Sequence, residues 1–92
     1  MSKRMPAKDV SAELDYTWDW SDWLAVGETI INAVITTPTG LVLENSLTQS
    51  TKVVAWYSGG EDAKTYMPAC QITTNQGRTD ERSLIIPVVA DR

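Results

Sequence analysis

The most constraining feature of this sequence is a strict alternation of residue types between residues 13 and 20. Large apolar side chains occupy every second position and polar side chains lie between them: Leu14, Tyr16, Trp18 and Trp20 against Glu13, Asp15, Thr17 and Asp19. Successive side chains of a β-strand point to opposite faces, so this period predicts a strand with an aromatic face and an acidic face. We expect the aromatic face to pack in a core and the acidic face to meet water or a polar partner.

Short strands separated by turns account for most of the remaining chain. β-branched residues dominate 29–37, and further strand-like runs lie at 41–44, 52–57, 66–74 and 82–89. Residues 45–50 are expected to be a polar connection, Pro68 to lie near a sheet edge, and the turn at 75–78 to pair the last two strands directly. Six or seven short strands without a convincing helix predict an all-β, two-sheet antiparallel sandwich, and a small barrel is the alternative.

The first ten residues differ from the rest because they have little periodic apolar content. We therefore predict an extended N-terminal arm over 1–10, which packs weakly on its own domain and orders against a partner, and one sandwich domain over 11–92. A chain of 92 residues has a thin margin of stability. One cysteine and no histidine leave neither an intrachain disulfide nor the usual zinc ligand, so self-association is the expected supplement.

The residue inventory argues against catalysis and against cofactors. Without histidine the chain lacks the most common general base, and Cys70 lies within a strand, where burial is expected instead of reactivity. Asp15, Asp19 and Asp22 are not spaced as in a calcium loop, so they predict an acidic edge that faces solvent or a partner. A formal charge of −4 argues against nucleic acid as a partner, and no apolar run approaches the length of a membrane span.

Four tryptophans are the oddest feature of the composition. Trp18 and Trp20 are expected in the core, whereas Trp56 has the opposite parity to Val53, Ala55 and Tyr57 and is expected to face outward. An outward tryptophan is a candidate for a protein interface. Exposed aromatic rings can also stack on sugars, so a carbohydrate-binding module that recognises a bacterial surface glycan is the alternative function.

Three segments occur in the same order in a known group of proteins. They are residues 14–24, which include Asp19-Trp20-Ser21-Asp22-Trp23-Leu24, then Trp56-Tyr57-Ser58-Gly59-Gly60, and then residues 72–83, which include Gly77-Arg78-Thr79-Asp80-Glu81-Arg82-Ser83. With Lys8-Asp9 at the start, the chain resembles small virion proteins of tailed phages, the fiber-tail adaptor-like family. The hairpin segment at 77–83 is the most specific part, and Met67-Pro68-Ala69 departs from the plainer β-branched strand of the family.

The resemblance implies an immunoglobulin-like sandwich without catalytic residues. Such a protein would be assembled in the host cytoplasm into the virion, where it would oligomerise in the tail or neck and link tail or portal subunits to fibers. The expected partners are therefore tail, portal or fiber subunits and copies of itself, with no nucleic acid, membrane, metal or cofactor. Candidate interface residues are the charged arm, two tryptophans and a charged hairpin tip: Lys3, Arg4, Lys8, Asp9, Trp23, Trp56, Arg78, Asp80, Glu81 and Arg82.

Overall fold

The computed structural model describes residues 2–90, and this part of the chain contains nine strands and no helix. The strands are β1 (Ser2–Arg4), β2 (Lys8–Asp9), β3 (Leu14–Asp19), β4 (Ile30–Thr36), β5 (Leu41–Thr48), β6 (Lys52–Gly59), β7 (Lys64–Tyr66), β8 (Ala69–Thr74) and β9 (Thr79–Val89). This number exceeds the expected six or seven, because three pieces of two or three residues also pair with β9. The prediction of an all-β sandwich is confirmed.

The strands form two sheets that pack face to face. The smaller sheet has the order β3-β6-β5 and is antiparallel throughout. In the larger sheet, β9 pairs with β7 and β8 along one side and with β1 and β2 along the other, and β4 pairs with β8. β3 and β5 are therefore the outer strands of the smaller sheet, and β4 is an outer strand of the larger one.

A single hairpin joins β7, β8 and β9, with one interruption. Tyr66 lies opposite Ile86 and Ala69 opposite Ser83, so the register is the same on both sides of the break at residues 67–68. Proline has no backbone N–H to donate, which accounts for the break, although the Pro68 carbonyl still accepts the N–H of Leu84 at 3.0 Å. The last two strands pair directly, as predicted, but Pro68 is buried beside a central strand and not at an edge.

The N-terminal segment corrects the expectation of a weakly packed arm. β1 and β2 are extended, but both pair in parallel with β9, and Lys8 is completely buried. The Lys8 ammonium donates to the carbonyl oxygens of Gly59 and Asp9, both at 2.8 Å. Burying an ammonium costs several kcal/mol unless acceptors replace its water shell, which these two carbonyls do. The hydrogen-bonding edge of β9 thus holds residues 2–10 without a partner protein.

The core lies between the sheets and is built from alternate positions of the predicted strands. Its largest members include Trp18, Trp20 and Tyr57, each at most 2% exposed, and complete burial of a large apolar side chain contributes roughly 1.5–3 kcal/mol. Cys70 is also fully buried, as predicted. The larger sheet contributes the expected alternating faces of β8 and β9, with Ile72, Leu84, Ile86 and Val88 inside.

β5 is longer than the sequence indicates. Residues 45–50 were expected to connect two strands, yet β5 continues to Thr48 through a bulge between Leu43 and Asn45. Except for Leu41, every residue of β5 is exposed. Because an outer strand can pair with its neighbour without burying its side chains, polar residues such as Asn45 and Ser46 do not end it.

Two turns need glycine for different reasons. Gly40, between β4 and β5, has a φ of +110°, and a Cβ there would lie 2.8 Å from the ring and the hydroxyl of Tyr66. Gly77, in the turn between β8 and β9, has a φ of +79° and open space around it. The first glycine is needed for conformation and space, and the second for conformation alone.

Candidate protein-interaction surfaces

The outer face of the smaller sheet carries an apolar strip with Trp56 at its centre. The register places Trp56 opposite Asp15 on β3 and Asn45 on β5, and Val54 opposite Thr17 and Leu47. Paired residues share a face, and Val53, Ala55 and Tyr57 fill the inner one, so Trp56 faces outward as predicted. We call this surface the Trp56 face, and it comprises Asp15, Thr17, Asp19, Val42, Glu44, Asn45, Leu47, Lys52, Val54, Trp56 and Ser58.

The rim of the Trp56 face is acidic. Asp15 and Asp19 alternate along β3, and the Glu44 carboxylate is held on the same face by a hydrogen bond from the Ser58 hydroxyl. Lys52 is the basic residue of this face and lies opposite Asp19. The backbone N–H of Ser21 donates to the Asp19 carboxylate at 2.8 Å, and this bond is the main reason that the pKa of Asp19 is lowered.

A second charged cluster ties the loop after β3 to the turn between β8 and β9. The Glu28 carboxylate is buried and forms an ion pair with Arg78, whose Nε lies 2.9 Å from it. Thr74 donates to the same carboxylate at 2.6 Å and the N–H of Ala25 at 3.0 Å. The hydrogen bonds from Arg78, then Thr74 and Ala25, lower the pKa of Glu28 from 4.5 to about 2.

Trp23 and Arg78 were predicted as interface residues, and the structure places them against each other. The Arg78 guanidinium carbon lies 4.0 Å from the centroid of the Trp23 ring, and Arg78 also donates to the Trp23 carbonyl at 3.2 Å. A guanidinium at this distance over an aromatic face makes a cation–π contact. Both side chains are therefore engaged within the domain, although 44% of the Arg78 side chain remains exposed.

Asp80 and Arg82 do not form the charged hairpin tip that the sequence indicated. They lie opposite Ile72 and Cys70 within the sheet, so they point toward the inner face. There the Trp20 indole N–H donates to Asp80 at 2.8 Å, and Arg82 lies 3.4 Å from the same carboxylate. The side chains of Asp80 and Arg82 thus cover Trp20 at the end of the core. Glu81, between them in sequence, is exposed on the outer face of the larger sheet.

A shallow pocket of about 120 Å³ lies beside Arg82, where β1 and β9 approach β3. Lys3 reaches it from β1, and Trp18, Asp19 and Leu84 also line it. Arg82 donates to the Asp19 carbonyl across this gap at 2.6 Å, so the guanidinium links the two sheets. The pocket has room for about one side chain.

The four charged candidates of the N-terminal segment separate in the structure. Lys3 and Arg4 are exposed on β1, whereas Lys8 is buried, which removes it from any surface. Burial lowers the pKa of Lys8, and the nearby Asp9 partly opposes that effect. Asp9 accepts hydrogen bonds from the N–H and the hydroxyl of Ser11, both at 3.0 Å, and thereby shapes the turn that leads into β3.

Sequence analysis missed the apolar surface around Trp56. Val42 and Leu47 are about half exposed, at 50% and 47%, and Val54 is partly exposed beside them. Residues 45–50 were interpreted as a connection between strands, so Leu47 was not assigned to either face of a sheet. Alternation assigns side chains to faces only within a strand. Parity counted from Leu43 would have placed Leu47 on the inner face, because the bulge at Glu44 is what brings Asn45 and Leu47 to the outer one, so no local signal in the sequence locates this surface.

The described residues offer little reactive chemistry. Within residues 2–90, no group of three or more histidine, cysteine, aspartate or glutamate side chains is placed to hold a metal ion. Burial raises the pKa of the Cys70 thiol to about 12, so the thiol stays protonated at neutral pH. No helix in the described part of the chain is long and apolar enough to cross a membrane.

Solved structures of other proteins share the fold of this chain. The chain resembles the PKD domain from the KIAA 1837 protein, with a TM-score of 0.61, 22% identity, and coverage of 95% of this chain and 83% of that one. It also resembles part of a 2,6-sialyltransferase from Vibrionaceae Photobacterium sp. JT-ISH-224, with a TM-score of 0.58 and 13% identity. That match covers 98% of this chain but 18% of the transferase. The chain thus has an immunoglobulin-like β-sandwich fold.

A sequence model of one family matches most of the chain. It is that of the podophage GP4 fiber-tail adaptor protein gp77, and it matches residues 8–87, so the chain belongs to this family. No curated protein is close enough in sequence to count as a match. The family is one of phage structural adaptors, which implies a virion component that associates with tail and fiber and is not an enzyme. The resemblance predicted from the sequence is confirmed.

Proposed function

We propose that this protein is a structural adaptor that assembles in several copies in the tail or neck of a tailed phage and links tail or portal subunits to fibers. The observation that carries the proposal is the family match over residues 8–87. The fold agrees with such a role, because ladders on both sides of β9 join the N-terminal segment to the rest of the larger sheet. The proposed partners are tail, portal or fiber subunits and further copies of the chain.

Repetition around a symmetry axis makes weak contacts sufficient for this role. In a ring each contact occurs once per copy, and after the first engagement the next one is effectively intramolecular. Among the predicted interface residues, Lys3, Arg4, Arg78 and Glu81 are exposed and Trp56 is partly exposed. The contact of residues 2–10 with β9 places Lys3 and Arg4 on a fixed strand, from which they can meet a neighbouring subunit.

Carbohydrate binding is not favoured as a second function. A sugar platform needs aromatic faces that are open to solvent. Trp18 and Trp20 are at most 2% exposed, and the face of Trp23 is covered by Arg78. Trp56 remains as one partly exposed ring on an otherwise aliphatic and acidic surface.

Light scattering coupled to size-exclusion chromatography tests the proposal. The purified protein is measured alone and after mixing with each purified tail, portal and fiber subunit of the phage that encodes it. We expect a multimer, alone or on mixing, with defined stoichiometry. A PKD domain of the same fold serves as the matched control and should not associate. A monomer that ignores every subunit would show that the chain is not an adaptor.

A further inference from the structure

We propose that the Trp56 face is the surface on which a basic virion subunit docks. This inference rests on the proposed function and adds the surface and the chemistry of the partner to it. The chemistry required of that partner is an apolar recess for the Trp56 indole, surrounded by lysine or arginine side chains.

The apolar centre of the face has the composition of an interface core. Trp56, Val54 and Leu47 lie side by side on β6 and β5, and they are held in position by the ladder between these strands. Tryptophan is enriched among the residues that dominate binding energy, because its large rigid area is buried at little cost in side-chain entropy. Val54 and Leu47 would complete the surface from which water is excluded.

The charge of the rim selects the sign of the partner. Asp15, Asp19 and Glu44 are fixed on this face, and Lys52 offsets one of the three charges. Asp15 lies directly beside Trp56, so any group that covers the indole also meets this carboxylate. Because like charges across an interface repel, a basic surface fits this rim and an acidic one does not.

The same rim disfavours a second copy of the chain as the occupant. Two copies joined face to face through a two-fold axis would bring the acidic groups of one against those of the other. A second copy could instead present the outer face of its larger sheet to the Trp56 face. That outer face has no net positive charge to match the acidic rim, because its exposed Arg4 and Glu81 have opposite charges. The exposed apolar side chains of that face, such as Val34, lack a charged rim of one sign.

The experiment measures the affinity of the full chain for the subunit that it binds in the light-scattering assay. One variant, Trp56→Ala, removes the anchor, and a second, Asp15→Asn with Glu44→Gln, removes rim charge and leaves Trp56 in place. The matched controls lie on the opposite sheet: Val34→Ala and Glu81→Gln. Each dissociation constant is measured at about 50 and about 300 mM salt, across which surface charges become screened. Circular dichroism melts confirm that every variant is folded.

We expect Trp56→Ala to weaken binding at least about tenfold and the charge variant about threefold or more at the lower salt concentration. The charge variant should also depend less on salt than the wild type, and both controls should bind as the wild type does. Equal binding by wild type and both Trp56-face variants would overturn the inference and leave the adaptor function intact. Self-assembly that these variants abolish would also overturn it, since the occupant would then be a second copy. If no subunit binds and no multimer forms, the proposed function itself fails.

Discussion

Replacing Gly40 by alanine should destabilise the domain far more than the same replacement at Gly77. Both glycines have positive φ, +110° and +79°, which an alanine adopts at a cost of about 1–2 kcal/mol. They differ in the space around them, because a Cβ at Gly40 would lie 2.8 Å from the Cε1 and hydroxyl oxygen of Tyr66, while one at Gly77 meets nothing within 4 Å. Gly77→Ala is therefore a control for the backbone contribution.

The clash at Gly40 is expensive because Tyr66 cannot move away freely. Its ring is 7% exposed, and its hydroxyl accepts the backbone N–H of Glu61 at 3.0 Å. Forcing extra volume into such a packed site costs about 1–3 kcal/mol. The expected loss is thus about 2–5 kcal/mol for Gly40→Ala and about 1–2 kcal/mol for Gly77→Ala.

Thermal and urea unfolding followed by circular dichroism measure this difference. For a domain of this size 1 kcal/mol shifts Tm by about 4–8 °C, so Gly40→Ala should melt about 4–24 °C below Gly77→Ala. The comparison uses the gap between the two variants and is independent of the absolute stability. Equal Tm values for the two variants would refute the argument from Tyr66, because they would mean that the ring yields without cost.

Three further predictions concern other parts of the domain. Because the pKa of Glu28 is lowered from 4.5 to about 2, its stabilising contribution is complete above about pH 4.5 and is lost as the pH falls toward 2. Urea unfolding should therefore show a smaller loss of stability over this range in Glu28→Gln than in the wild type. An equal loss of unfolding free energy in both proteins would show that the ion pair between Glu28 and Arg78 does not cause the acid sensitivity. The pKa of about 12 predicts that Cys70 resists a thiol reagent in the native protein and reacts fully in urea, and rapid native labelling would show that the strand opens locally. Deletion of residues 1–7 should lower Tm and promote aggregation, measured by melting and light scattering, because it frees part of the hydrogen-bonding edge of β9. A truncated protein with unchanged Tm and solubility would show that β1 contributes nothing.

The sequence was sufficient for the core because its pattern is local. Tyr16, Trp18 and Trp20 alternate with polar residues, and period alone states that they share a face. The hairpin between β8 and β9 was equally local, since the turn and both strands are adjacent in the chain. For these elements, neighbouring residues contain all the information that is needed.

The missed features depend on residues that are distant in sequence. The buried Lys8 ammonium donates to the carbonyl of Gly59, which is 51 residues away. No residue near Lys8 in the sequence indicates that acceptor. Asp80 and Arg82 share the parity of the buried Leu84 and point inward with it, but the group that Asp80 meets there, the indole N–H of Trp20, is 60 residues away. The sequence of a charged pair at the end of a strand does not show whether the pair contacts water or a buried indole.

The parallel pairing of β1 with β9 determines how the domain responds to tension along these strands. The chain enters β1 at residue 2 and leaves β9 after residue 89, and the two strands run in the same direction. Tension that pulls these two points apart therefore slides the strands lengthwise past each other, so the load is shared by the bonds of the ladder at once. Peeling, in which bonds break one after another, would need force at right angles to β1. A load applied along this line is therefore resisted by several backbone hydrogen bonds together.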